Sequence, residues 1–260
     1  MFESLRPGAP AFLASVTGAG EALLAHVAGA DIIDCKEPSR GALGALDPAD
    51  IRAIVTAIEG RAGVSATVGD LPADPDVLSA AAQAMAALGV DAVKIGFFGD
   101  GDARGSIAAL GRLDLGRVRR IAVLMADRAP DLTLLPALAA AGFAGVMLDT
   151  AGKATGALPD ILDAQTLANF VAAARRHGLV SGLAGSLRRA HIGQIVALQP
   201  AIIGFRGALC RSGRTGVLDA GLVKAVRDDI DTAIRATVPI EGGTLEAGTL
   251  EASNLERSVA

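Results

Sequence analysis

Four of the 24 basic side chains in this sequence are lysines, and three of those four stand at or near the end of a short apolar run. Lys36 closes Asp31-Ile32-Ile33-Asp34-Cys35-Lys36, Lys94 lies in Ala92-Val93-Lys94-Ile95-Gly96, and Lys153 follows Val146-Met147-Leu148-Asp149-Thr150 on its loop. Each run reads as a buried strand with polar residues toward its C-terminal end. A lysine, unlike an arginine, can lose its proton when desolvated and then act as a base or as an imine-forming nucleophile. Strand alternation puts Asp34 and Lys36 on one side and Cys35 on the other. Asp34 and Asp149 add carboxylates able to move protons. Taken singly, these residues have plain explanations. Asp34 and Lys36 could form a structural ion pair, Asp149 could cap a helix, and Lys224, in a helical stretch, reads as an ordinary surface lysine. Their recurrence at several strand ends favours chemistry.

Two glycine-bearing segments suggest an anion site. Gly182-Leu183-Ala184-Gly185-Ser186-Leu187 and Gly204-Phe205-Arg206-Gly207-Ala208-Leu209 each follow a strand-like run. Glycine permits close backbone approach, and free N–H groups at a following helix start attract anions. The expected phosphate ligands are Gly185, Ser186, Arg206 and Gly207, with Arg206 offering a forked contact. A rival glycine motif, Thr17-Gly18-Ala19-Gly20-Glu21, has the outline of a dinucleotide fingerprint with Asp34 as the ribose acid. Leu23 stands where the third glycine belongs, and that reading leaves Lys36 without a role. His26, His177 and His191 lack ligand spacing, so no metal is expected, and no cofactor either. Cys35 and Cys210 are too few for a disulfide scaffold.

These groups need elements to hold them. Strands are predicted near Phe12–Val16, Ile32–Lys36, Val64–Val68, Ala92–Ile95, Ile121–Met125, Gly145–Asp149, Val180–Leu183 and Ile202–Phe205. Amphipathic stretches alternate with them, and Gly29, Gly89, Gly142 and Gly178 stop several of these helices. Strand–helix alternation implies parallel pairing through right-handed crossovers, and eight units make a (β/α)8 TIM barrel whose strand C-termini share one face. The predicted organisation is a single catalytic barrel over residues 1–238 and a loosely held C-terminal extension over 239–260. Hydrophobic residues are 51% and aromatics 3% of the chain, a supply of small aliphatic side chains that suits helices packed on a parallel sheet. The net charge of −4, without a basic run, argues against nucleic acid as a partner. No run approaches a membrane span and the N-terminus lacks a signal-peptide layout, so a cytoplasmic location is expected. The oligomeric state stays open, a homo-oligomer included.

Ala30-Asp31-Ile32-Ile33-Asp34-Cys35-Lys36-Glu37-Pro38, followed by Gly41-Ala42-Leu43-Gly44, resembles the start of the (5-formylfuran-3-yl)methyl phosphate synthase family. Asp91-Ala92-Val93-Lys94-Ile95-Gly96, Leu148-Asp149-Thr150-Ala151-Gly152-Lys153 and Gly204-Phe205-Arg206-Gly207 resemble later segments in the same order, so the likeness runs from about residue 12 to 225. The resemblance implies a lyase that condenses two molecules of glyceraldehyde 3-phosphate, with loss of phosphate and water, in methanofuran-type cofactor synthesis. On that reading Lys36 forms a Schiff base and Asp34 beside it holds the lysine and shuttles protons. Lys94 is general acid or base, and Asp149 and Lys153 assist phosphate elimination and ring closure. The residues do not decide which of Lys36 and Lys94 forms the imine. Another lysine-dependent aldolase, a triose-phosphate isomerising barrel and a non-catalytic phosphometabolite-binding protein are the alternatives.

Overall fold

The computed structural model describes residues 9–152 and 156–237. Lys153 and the extension over 239–260 therefore lie outside the described residues. Eight parallel strands close into a barrel in sequence order: β1 Ala11–Val16, β2 Ile32–Cys35, β3 Gly63–Thr67, β4 Ala92–Phe97, β5 Arg119–Met125, β6 Gly145–Asp149, β7 Val180–Leu183 and β8 Ile202–Phe205. The ring closes where β8 pairs with β1, Ala11 against Ile202 and Ala14 against Phe205. The predicted TIM barrel is the observed fold. Among the described residues the helices are α1 Ala19–Val27, α2 Pro48–Ile58, α3 Pro75–Ala86, α4 Ala103–Arg112, α5 Leu135–Ala140, α6 Leu158–Ile161, α7 Ala164–Arg176, α8 Ile192–Ala197 and α9 Ala220–Thr237. None is long and apolar enough to cross a membrane.

Local chemistry sets the ends of these helices. Asp74 and Asp163 accept hydrogen bonds from the N–H groups of Val77 and Thr166, satisfying donors left free in the first turns of α3 and α7. Gly29, Gly89, Gly142 and Gly178 follow helices with φ of 106°, 88°, 72° and 70°, the left-handed backbone that ends a helix without a Cβ penalty. Gly105 and Gly111 interrupt the apolar period of α4. Strand β2 stops at Cys35, so Lys36 stands one residue beyond the ladder at the barrel rim.

Period-2 alternation then sorts the side chains into two layers. Phe12, Ile33, Cys35, Val93, Val146 and Ile203 face outward and are buried under the helices. Leu13, Ile32, Ala92, Ile121, Met147 and Ile202 belong to a separate apolar cluster that fills the barrel. Each fully buried Phe, Leu or Ile contributes about 1.5–3 kcal/mol through removal from water. The segment after β2 folds back over part of the opening. Leu43 is buried in the interior cluster, and the N–H groups of Ala42 and Leu43 donate to the Asp70 carboxylate at 2.8 and 2.6 Å. A side chain at Gly44 would collide with the Glu37 carbonyl oxygen, so the fold-back needs glycine there. Leu43 plugs one part of the mouth, and the open part lies against β1, β6, β7 and β8.

Candidate active site

The polar residues of the barrel top follow from strand register. β1 and β3 place Ser15 and Ser65 directly beside Asp34. Both hydroxyls donate to its carboxylate, Ser15 Oγ at 3.0 Å and Ser65 Oγ at 2.7 Å. Lys94 Nζ donates to the same carboxylate at 2.8 Å. Asp34 thus has three donors and no exposure, the condition under which a buried charge is tolerated. Lys94 comes from β4, where Thr67 is its neighbour across the ladder.

Lys36 does not pair with Asp34. Its Nζ lies 3.2 Å from Asp149 Oδ2, contributed by β6 from the other side of the barrel. The expected pairing of sequence neighbours is therefore corrected to two crossed pairs, Lys94–Asp34 and Lys36–Asp149. The physical reason is the register. Asp34 is saturated by donors from the strands beside it, whereas Lys36, beyond the end of β2, extends over the opening. Asp149 Oδ1 also accepts from the Thr150 N–H at 2.7 Å, and Asp127 holds the N–H groups of Ala151 and Gly152 at 2.8 and 2.6 Å. The chain after β6 is thus anchored at Ala151 and Gly152.

Lys36, Lys94, Asp149, Ser15 and Ser186 line a cavity of about 730 Å3 at this end. Gly185 has φ of 105°, and a Cβ there would lie 3.0 Å from the Thr150 backbone nitrogen, so only glycine brings β7 and β6 loops this close. Ser186 follows in the left-handed region at φ 48°. Among the described residues, no protein group accepts from the N–H of Ser186 or Gly207, which leaves both donors available to an anion.

Arg206 behaves differently from expectation. Its five N–H groups are all committed inside the protein: Nε to Arg214 O, Nη1 to Ser15 O and Glu21 Oε2, and Nη2 to Glu21 Oε1 and Gly216 O. It stands in the cavity wall but presents no free fork to phosphate. Its role is to hold the loop after β8 against β1 and α1. Glu21 is the other half of this clamp, accepting also from Thr17 and Leu218 N–H. Burial alone raises the Glu21 carboxyl pKa, but the Arg206 hydrogen bond and the Thr17 and Leu218 N–H groups together hold it below the usual carboxylate range. The Thr17–Glu21 segment is therefore half of a clamp in a barrel, and the dinucleotide reading falls with the closed sheet. Cys35 faces the outer core, and burial followed by the Asp34 charge pushes its thiol pKa far up, which makes it a poor nucleophile.

Ser15, Ser65 and Arg214 went unremarked in the sequence, and Glu21 entered only as the end of the rival glycine motif. The serines had a signal: both fall on the inward period of predicted strands. Arg214 had none, because its partners are the carbonyls of Pro38 and Gly41, distant in sequence, and the Glu21 contacts to Arg206 and Leu218 are equally remote.

A closed parallel barrel with lysine–carboxylate pairs at its C-terminal mouth defines the class as a TIM-barrel protein. Solved structures agree on the fold. Phosphoribosyl anthranilate isomerase from Thermus thermophilus matches with a TM-score of 0.60 at 17% identity, covering 85% of this chain and 98% of that one. 3-Hexulose-6-phosphate synthase from Salmonella typhimurium matches with a TM-score of 0.60 at 17% identity, covering 86% and 99%. Residues 12–227 match the family model described as 4-HFC-P synthase, and the chain belongs to that family of enzymes. A Methylorubrum extorquens protein provisionally named (5-formylfuran-3-yl)methyl phosphate synthase is 46% identical over 222 residues, covering 85% of this chain and 91% of that protein. The proteins so named in Methanocaldococcus jannaschii and Methanothermobacter thermautotrophicus are 36% and 35% identical, covering 80% and 82% of this chain and 94% and 95% of theirs.

Proposed function

We propose that this protein is a (5-formylfuran-3-yl)methyl phosphate synthase working through a lysine Schiff base. The observation that carries the reading is the pair of lysines at one barrel mouth, each held by its own carboxylate, in a member of this family. Two molecules of glyceraldehyde 3-phosphate enter; the phosphorylated furan aldehyde, one phosphate and two waters leave. Lys36, at the cavity wall and the less tightly held of the two, attacks the triose carbonyl and releases water. The iminium draws electrons from the neighbouring carbon, and Asp149, 3.2 Å from the amine, takes and returns the proton. Lys94, steadied by Asp34, serves as acid or base for the second triose. Lys153, with Asp149, assists phosphate departure and ring closure. Gly185, Ser186 and Gly207 hold a substrate phosphate through the backbone. The catalytic unit is the barrel over residues 1–238, it works in the cytoplasm, and its product feeds methanofuran-type cofactor synthesis.

Incubation with glyceraldehyde 3-phosphate tests this. A furan chromophore and free phosphate should appear together in equal amounts, and borohydride should trap one triose covalently on the protein. A non-catalytic binder gives neither adduct nor phosphate, and an isomerising barrel releases no phosphate.

A further inference from the structure

The reaction proposed above brings two phosphate monoesters into one cavity, and the inference here rests on that reading. The backbone donors of Ser186 and Gly207 supply one anion site. Besides the two lysines, arginines 188, 189, 206, 211 and 214 stand on the cavity wall. Four of them already face a carboxylate: Arg188–Asp160 at 3.6 Å, and Arg189–Asp229, Arg206–Glu21 and Arg211–Asp219 at 2.5 Å.

Arg214 is the exception among the described residues of the wall. Its Nη2 donates to the carbonyl oxygens of Pro38 and Gly41 at 2.6 and 2.7 Å, and no carboxylate reaches ion-pair distance. The donors on Nε and Nη1 have no protein acceptor among the described residues. Its backbone is fixed as well, because Arg206 Nε donates to Arg214 O at 2.9 Å. The side chain spans from the loop after β8 to the segment that follows Lys36. Burial opposes its charge, and the charges of Asp149 and Asp70 act the other way. A half-buried guanidinium bonded only to carbonyls is incompletely compensated, and a phosphate with two adjacent oxygens matches its remaining donors.

We propose that Arg214 forms a second phosphate subsite, which takes the phosphate of the second triose beside Lys36.

The test counts inorganic phosphate bound to the full chain by equilibrium dialysis. The native protein should bind two per chain, Arg214→Gln one, and Arg214→Lys two with the second held more weakly, because lysine keeps the charge while losing the forked contact and the double carbonyl bridge. With glyceraldehyde 3-phosphate, Arg214→Gln should raise KM by about tenfold or more, the loss of one charge-assisted contact. Borohydride trapping of the first triose should stay at the native level. A native protein with a single phosphate site, or an Arg214→Gln variant that keeps both, overturns the subsite. Equal loss in Arg214→Gln and Arg214→Lys also overturns it and assigns Arg214 to loop tethering. Two phosphates falling to one without any furan from the native protein would sink the reaction instead and leave the subsite standing.

Discussion

The two lysine–carboxylate pairs differ in how completely the barrel has fixed them. Asp34 has no exposed surface, and its oxygens receive two serine hydroxyls and the Lys94 ammonium at 2.8 Å. Lys36 and Asp149 are 3.2 Å apart, and both line the cavity. Burying two charges is compensated only when geometry is good and the remaining lone pairs are filled. The deep pair meets that condition from within the protein. The upper pair leaves its lysine beside open space, where an amine can turn to a substrate carbonyl. The barrel thus fixes one pair more completely than the other, although both are built from the same residue types and both lysines line the cavity.

The largest effect should come from the substitution that separates charge from nucleophilicity. Lys36→Arg keeps the cation facing Asp149 but removes imine chemistry, since guanidinium stays protonated. Turnover should fall by about a thousandfold or more and borohydride trapping should vanish, with the melting temperature nearly unchanged. Retained trapping in Lys36→Arg with loss in Lys94→Arg would reverse the comparison. The deep pair should respond in stability. Asp34→Ala leaves Lys94 buried without its carboxylate, which should cost about 3–5 kcal/mol in urea unfolding, whereas Asp149→Ala should cost clearly less. Equal losses at the two positions would remove the distinction drawn here. Smaller again is Gly185→Ala. A Cβ at φ 105° against the Thr150 backbone should cost about 1–3 kcal/mol and weaken inorganic phosphate binding while trapping at Lys36 persists.

What the sequence disclosed, and what it hid, follows the same division. All eight strands and four helix-ending glycines were legible, because strand alternation and left-handed C-caps are local signals. Asp34, Lys36, Lys94 and Asp149 were legible as residues of one barrel end, since parallel strands must converge there. Their pairing was not. Whether Asp34 meets Lys36 or Lys94 depends on which tier each strand occupies in the closed ring, and only the register of Asp34 with Ser15 and Ser65 decides it. Arg206 misled for a related reason. A glycine-flanked arginine after the last strand has the composition of a phosphate fork, but its acceptors, Glu21 of α1, the Ser15 carbonyl of β1 and the carbonyls of Arg214 and Gly216 in the loop after β8, meet it only in the closed ring, which no local pattern encodes.

The Glu21–Arg206 clamp supplies the smallest effect and sharpens the comparison from the rim. Because the folded carboxyl pKa lies below its ordinary value of about 4.3, the unfolded chain binds more protons in the window between the two. Stability from Glu21 is therefore fully present above the ordinary carboxylate range and is lost as pH falls through the folded value. Glu21→Gln lacks that term. The difference in urea-unfolding free energy between native protein and Glu21→Gln should be constant near neutrality and should shrink as the pH is taken below about 4. The Arg206 and Glu21 side chains are only 9% and 15% exposed, but glutamine keeps part of the hydrogen bonding, so the difference should be smaller than the Asp34→Ala loss. The loop after β8 should loosen first, which hydrogen exchange at Leu218 and Asp219 would register, since the Leu218 N–H donates to Glu21. A pH-independent difference would mean that Glu21 titrates alike in both states and that Arg206 is held by the carbonyls of Ser15, Arg214 and Gly216 alone.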